Sequence, residues 1–121
     1  MRSQCQTLDF FVRGCQMCTW NLETALPIIR AIDPIARRCN FSLALRGSVL
    51  IRGESDSDLD LCFLCEETQK HAFCSVERFL REIEREMHEQ VHHCSGLYEG
   101  THPFTEIWLR DGRHIDAHFW L

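Results

Sequence analysis

No stretch of the 121 residues is apolar enough to span a membrane, and the opening segment Met1-Arg2-Ser3-Gln4-Cys5-Gln6 has no signal-peptide core. A cytoplasmic protein is therefore expected. The chain has no lysine- or arginine-rich block and carries a formal charge of −5, which argues against broad, non-specific binding to nucleic acid while leaving room for a local basic patch. No internal repeat, low-complexity tract or linker interrupts it. These absences leave one domain, long enough to bury a single modest core. Hydrophobic residues at 45% and charged residues at 26% fit an ordinary soluble globular chain.

Cysteine, by contrast, is abundant: Cys5, Cys15, Cys18, Cys39, Cys62, Cys65, Cys74 and Cys94. The even count would suit an oxidised secreted scaffold, but the missing secretion signal and the apolar patterning point to free, buried or half-buried thiols in a reducing compartment. Cys15-Gln16-Met17-Cys18 and Cys62-Phe63-Leu64-Cys65 have the two-residue gap of zinc knuckles. The second pair falls in an expected strand, where residues three apart face opposite sides, so a shared tetrahedral zinc is awkward there.

The most informative segment is Leu45-Arg46-Gly47-Ser48 followed by Ser57-Asp58-Leu59-Asp60-Leu61. A glycine lets backbone come close to a ligand, and exposed N–H groups at a helix start hold an anion such as phosphate. In an extended segment Asp58 and Asp60 point to one face and Leu59, Leu61 and Phe63 to the other. Two neighbouring carboxylates repel each other unless a cation sits between them, and oxygen ligands favour magnesium, manganese or calcium. Asp56, Asp58, Asp60 and Glu67 also match positions 1, 3, 5 and 12 of a calcium-binding EF-hand loop. Position 6, which needs glycine for a sharp turn, is Leu61, and Gly47 and Gly53 stand where a helix is required.

The remaining pattern predicts the elements that carry these residues. Asn21 caps a helix running to about Cys39, with Leu22, Leu26, Ile29, Ile32 and Ile35 on its buried stripe and a break or restart at Asp33-Pro34. A strand at 41–45, a short helical piece at 49–52 and a strand at 59–65 follow. Phe73, Val76, Leu80, Ile83, Met87 and Val91 recur at spacings of three and four, which predicts a long helix over 69–93, ended by Ser95-Gly96. His88 and His92, four apart on it, are a weak metal pair without an evident third ligand. Asp111-Gly112 reads as a two-residue hairpin loop, pairing Arg110 with Arg113, Leu109 with His114 and Ile107 with Asp116. The last strand then shows His114, Asp116 and His118 on one face and Ile115, Ala117 and Phe119 on the other.

A hydrophobic strand, Gly47-Ser48, Asp58-Leu59-Asp60-Leu61 and a third carboxylate, Asp116, on a later strand together resemble the signature of the DNA polymerase β-type nucleotidyltransferases. The minimal, antitoxin-like nucleotidyltransferase branch is the most similar. The resemblance covers roughly residues 22–121 and implies an α+β fold: a small mixed sheet with helices packed on one face, in αβαββ order. It divides the chain into an N-terminal extension, residues 1–20, as a helix or arm, and a catalytic domain, residues 21–121. With five residues after Asp116, nothing is expected to follow the catalytic module.

The resemblance further implies that Asp58, Asp60 and Asp116 are catalytic and hold two magnesium ions (manganese being the alternative) roughly 3.5–4 Å apart. Gly47 and Ser48 would grip the β and γ phosphates, and Arg46 or Arg52 would add charge to the same group, Arg52 being equally well read as a solvated helix residue. His114 and His118 would border the nucleotide or serve as surface and packing residues. The implied reaction moves a nucleoside monophosphate, AMP from ATP, onto an acceptor hydroxyl and releases pyrophosphate. The implied partner is a small helical protein of the HEPN type, as in toxin–antitoxin adenylyltransferases. Two alternatives remain at this stage: a stand-alone antibiotic adenylyltransferase acting as a homodimer, and a non-catalytic nucleotide-binding regulatory module.

Overall fold

The computed structural model describes residues 19–65, 69–96 and 103–121. Of the expected N-terminal extension, residues 1–18, with the Cys15–Cys18 pair, lie outside them, as does Glu67. The first element of the described residues is a short strand, β1 (Trp20–Asn21), paired antiparallel with β3 (Glu54–Ser55). Trp20 is fully buried; its Nε1 donates to the His114 carbonyl at 3.2 Å, and the Arg113 guanidinium lies 4.2 Å above its ring centre.

Asn21 does cap helix α1 (Leu22–Arg38): its Oδ1 accepts from the Thr24 N–H at 2.8 Å, and Thr24 Oγ1 accepts from the Asn21 N–H at 2.9 Å. The expected break at Asp33-Pro34 is absent. The helix runs through both Pro27 and Pro34, because losing one i→i−4 bond at each proline is offset by the apolar face that stays buried on both sides of it. That face is also rotated from the expected one. Ala25, Ile28, Ile32, Ile35 and Ala36 are buried, whereas Leu22 and Leu26 are 48% and 40% exposed. Small alanines permit close packing, a preference that a pattern of large apolar residues does not register.

Strands β2 (Phe41–Arg46), β4 (Asp58–Cys65), β5 (Val91–Cys94), β6 (Phe104–Leu109) and β7 (His114–Trp120) form one mixed sheet in the order β2-β4-β7-β6-β5. Only the central β4–β7 pair is parallel. A five-residue helix, α2 (Ser48–Arg52), joins β2 to β3, and α3 (Gln69–Glu86) joins β4 to β5. Residues of α1 and α3 share one core with Leu59, Leu61, Phe63, Ile115, Ala117 and Phe119. The helices thus pack on one sheet face, as expected. At its centre Phe63 stacks on Phe119 at 5.4 Å, with Phe41 and Phe79 set against both.

Two local expectations fail, each for a physical reason. The long helix stops at Glu86; the chain turns through Met87, whose carbonyl accepts from Gln90 and Val91, and then forms β5. Met87 and Val91 are both buried, so the helical spacing continues across a turn that it does not see. Ser95-Gly96 accordingly follows a strand, and His88 and His92 do not share a helix face. The hairpin at 110–112 has three loop residues instead of two. Gly112 at φ +94° donates to the Leu109 carbonyl at 3.1 Å, and Leu109 donates to the Arg113 carbonyl at 2.8 Å. The register moves by one: Glu106 faces Asp116, Ile107 faces Ile115 and Trp108 faces His114. Such a slip exchanges the faces of a strand. Only the observed pairing leaves Ile107 and Leu109 buried, at 0% and 4% exposure.

Candidate active site

The face of the sheet away from the helices is built from the even-numbered residues of β4 and β7. Their parallel register sets Asp58 beside His114, Asp60 beside Asp116 and Cys62 beside His118. Pairing with β2 and β6 extends the middle row to Arg46, Asp60, Asp116 and Glu106. The three carboxylates expected from the sequence are therefore brought together at one end of the parallel pair. Asp58 and Asp60 stand on a regular strand, which excludes the EF-hand loop. Cys62 lies on this open face while Cys65 packs toward the core, so the two cannot share one zinc. Burial pushes the Cys62 thiol up in pKa, and Arg46 opposes that shift.

Gly47 connects β2 to α2 with φ +78° and ψ −154°, a backbone region essentially reserved for glycine. A Cβ at this position would lie 2.3 Å from Asp60 Oδ2. The glycine is thus required both by its own conformation and by the carboxylate that occupies the space beside it. Ser48 is the first residue of α2 and half-buried; Arg52 ends α2, exposed. Among the described contacts, Arg46 joins the carboxylate row through its pairing with Asp60, and none ties Arg52 to it.

The electrostatics separate the three acids. Burial, followed by the adjoining Asp58, pushes the Asp116 carboxyl up to about 8. A hydrogen bond from Asp116 holds Asp58 below the usual carboxylate range, helped by the Ser57 hydroxyl, which donates to Asp58 Oδ1 at 2.9 Å. Asp116 Oδ1 is buried without a hydrogen bond among the described residues; His114 Nε2 is 3.3 Å away but lacks hydrogen-bond geometry. His118 Nε2 lies 3.3 Å from Asp60 Oδ1. Ligand atoms of Asp58, His114 and Asp116 lie within 4.8 Å of one another, as do those of Asp60, Asp116 and His118.

Three residues on this face went unnoticed in the sequence: Phe104, Glu106 and Trp108. Phe104 stacks on His118, and Trp108 stacks on His114 at 4.5 Å. Their signal is the strict alternation of Phe104-Thr105-Glu106-Ile107-Trp108-Leu109, which becomes legible once the hairpin register is correct.

No family model matches the chain, and no curated protein matches it. Solved structures do. The chain is similar to a cytoplasmic RNA terminal U-transferase at 17% identity and TM-score 0.60, over 80% of this chain and 28% of that one. It is similar to the GLD-2/RNP-8 complex at 20% identity and TM-score 0.64, over 81% and 32%. It is also similar to terminal uridylyl transferase 4 from Trypanosoma brucei with bound GTP, at 14% identity and TM-score 0.61, over 93% and 34%. The chain spans about a third of the length of these structures. The mixed sheet backed by helices matches the polymerase β-like nucleotidyltransferase fold of these structures.

Proposed function

We propose that this protein transfers a nucleoside monophosphate from a nucleoside triphosphate to an acceptor hydroxyl, with release of pyrophosphate. The convergence of Asp58, Asp60 and Asp116 on one open sheet face carries the reading. An orphaned, buried carboxylate oxygen and a carboxyl pushed up in pKa by burial and its acidic neighbours fit a cluster that accommodates a divalent cation. Asp58, Asp60 and Asp116 would hold magnesium, which supplies phosphate charge neutralisation and an acidified acceptor hydroxyl. Asp116, buried beside the other two acids, is the group to orient the acceptor and, once ionised beside the metal, to take its proton. Gly47 presents backbone without a side chain beside Asp60, and with the Ser48 hydroxyl it would bind the distal phosphates. Arg46 contributes a guanidinium to the same row.

Donor and acceptor divide into two readings. The sequence resemblance favours ATP and a HEPN-type protein acceptor, the arrangement of an antitoxin adenylyltransferase. The structural neighbours, an RNA terminal U-transferase among them, favour UTP and an RNA end. The test is transfer of label from each α-labelled triphosphate, with magnesium, to an RNA oligonucleotide and to a purified HEPN-type protein. Transfer abolished in Asp60→Asn is the expected result, and the labelled product identifies the acceptor. Pyrophosphate release that depends on an aminoglycoside would redirect the assignment to a homodimeric resistance enzyme. Nucleotide binding with no transfer to any acceptor would make the chain a regulatory module.

A further inference from the structure

Two histidines that the proposed reaction does not use flank the carboxylates. His114 presents Nε2 3.3 Å from Asp116 Oδ1, and His118 presents Nε2 3.3 Å from Asp60 Oδ1. Both rings are held from β6. Trp108 stacks on His114 at 4.5 Å and 27°, and its ring is also parallel to that of His93, at 6.4 Å and 14°. Phe104 stacks on His118 at 5.8 Å and 21°. Aromatic support on one side leaves each nitrogen beside the acidic row.

The result is a repeated donor set. Asp58, His114 and Asp116 form one triad and Asp60, Asp116 and His118 the other, with Asp116 common to both. Each triad offers two carboxylates and one imidazole. Magnesium demands oxygen ligands and parts reluctantly with its water, whereas imidazole nitrogen suits cobalt, zinc and their neighbours in the first transition row. We propose that His114 and His118 are direct metal ligands, making this a paired carboxylate–histidine centre that binds Mn2+, Co2+ or Zn2+ in preference to Mg2+. The assignment rests on the reading of the carboxylates as the metal centre of a nucleotidyltransferase. It departs from the oxygen-only site that Asp58, Asp60 and Asp116 make by themselves.

The competing role is a hydrogen-bonding one, in which the imidazoles orient carboxylates around magnesium without touching the ion. Calorimetric titration of the whole chain with Mg2+, Mn2+ and Co2+ separates the two, together with nitrogen hyperfine coupling in the spin-resonance spectrum of bound Mn2+. Co2+ is expected to bind more tightly than Mg2+. His114→Ala and His118→Ala are each expected to weaken Co2+ by more than the roughly 10- to 100-fold cost of losing a group that only supports a ligand, with Mg2+ affinity unchanged. Nitrogen coupling is expected in the native protein and absent from the double variant. His118→Asn, which replaces the ring with a smaller polar group, covers the case in which the alanine variant does not fold. Absence of nitrogen coupling, or equal weakening of Mg2+ and Co2+, overturns the histidine assignment and leaves nucleotidyl transfer standing. Metal binding that survives both Asp60→Asn and Asp116→Asn overturns the two together.

Discussion

Strands β4 and β7 present two faces made from alternate residues of the same two segments, and opposite physics governs them. Toward the helices point Leu59, Leu61, Phe63, Ile115, Ala117 and Phe119, none of them exposed to solvent. Burying each of the large ones is worth roughly 1.5–3 kcal/mol. Toward solvent point Asp58, Asp60, His114, Asp116 and His118, half-buried and crowded with like charge. One face gains from every contact it makes, and the other retains a carboxyl that burial and its neighbours keep protonated. The lesson is a division of labour across a single layer of backbone. The apolar face fixes the register of the parallel pair, and that register alone brings carboxylates from distant parts of the chain together.

Emptying the apolar face should have the largest effect. Phe63 touches Phe41, Phe79 and Phe119, so Phe63→Ala is expected to destabilise the fold by about 3–5 kcal/mol. Urea unfolding measures this, and a loss below about 1 kcal/mol would break the comparison, because the core would then not be what holds β4. A change between the faces comes next. Gly47→Ala must pay backbone strain of about 1–3 kcal/mol and must also swing the Asp60 carboxylate away from the Cβ. Nucleotidyl transfer should therefore fall far more than stability does. A proportional loss of the two would mean that Asp60 does not need its present position.

The last effect belongs to the polar face and has the opposite sign. Asp116 binds its proton up to a pH of about 8 in the fold, against an ordinary value of 3.8. Between these limits the folded chain holds more protons than the unfolded one, so in a chelator its stability falls as pH rises. Below 3.8 the contribution is fully present. Asp116→Asn removes this dependence and should be more stable than the native chain at pH 8, while losing activity. Thermal melts at several pH values with chelator decide it: native and variant curves that run parallel would show that Asp116 is not the group under pressure.

Much of this site was legible in the residues. Asp58 and Asp60 alternate with leucines and Asp116 alternates with Ile115 and Ala117, so the faces could be written down in advance, while the grouping of the three acids with Gly47-Ser48 came from the family resemblance. Asn21 as a helix cap was equally plain. What failed was decided by packing. The alanines of α1 turned its buried face, and a buried valine carried the helical period of α3 into a strand. The hairpin loop gained a residue because only then do Ile107 and Leu109 reach the core.

The sequence by itself determined which residues are acidic, which face of each strand they occupy and where glycine must stand, because alternation and backbone freedom are local properties. Only the tertiary structure decided which strands lie side by side, and with that the pairing of Asp60 with Asp116 and the placing of Trp108 and Phe104 against the two histidines. Register is set by the burial of whole faces, a sum over contacts between segments that no local pattern contains.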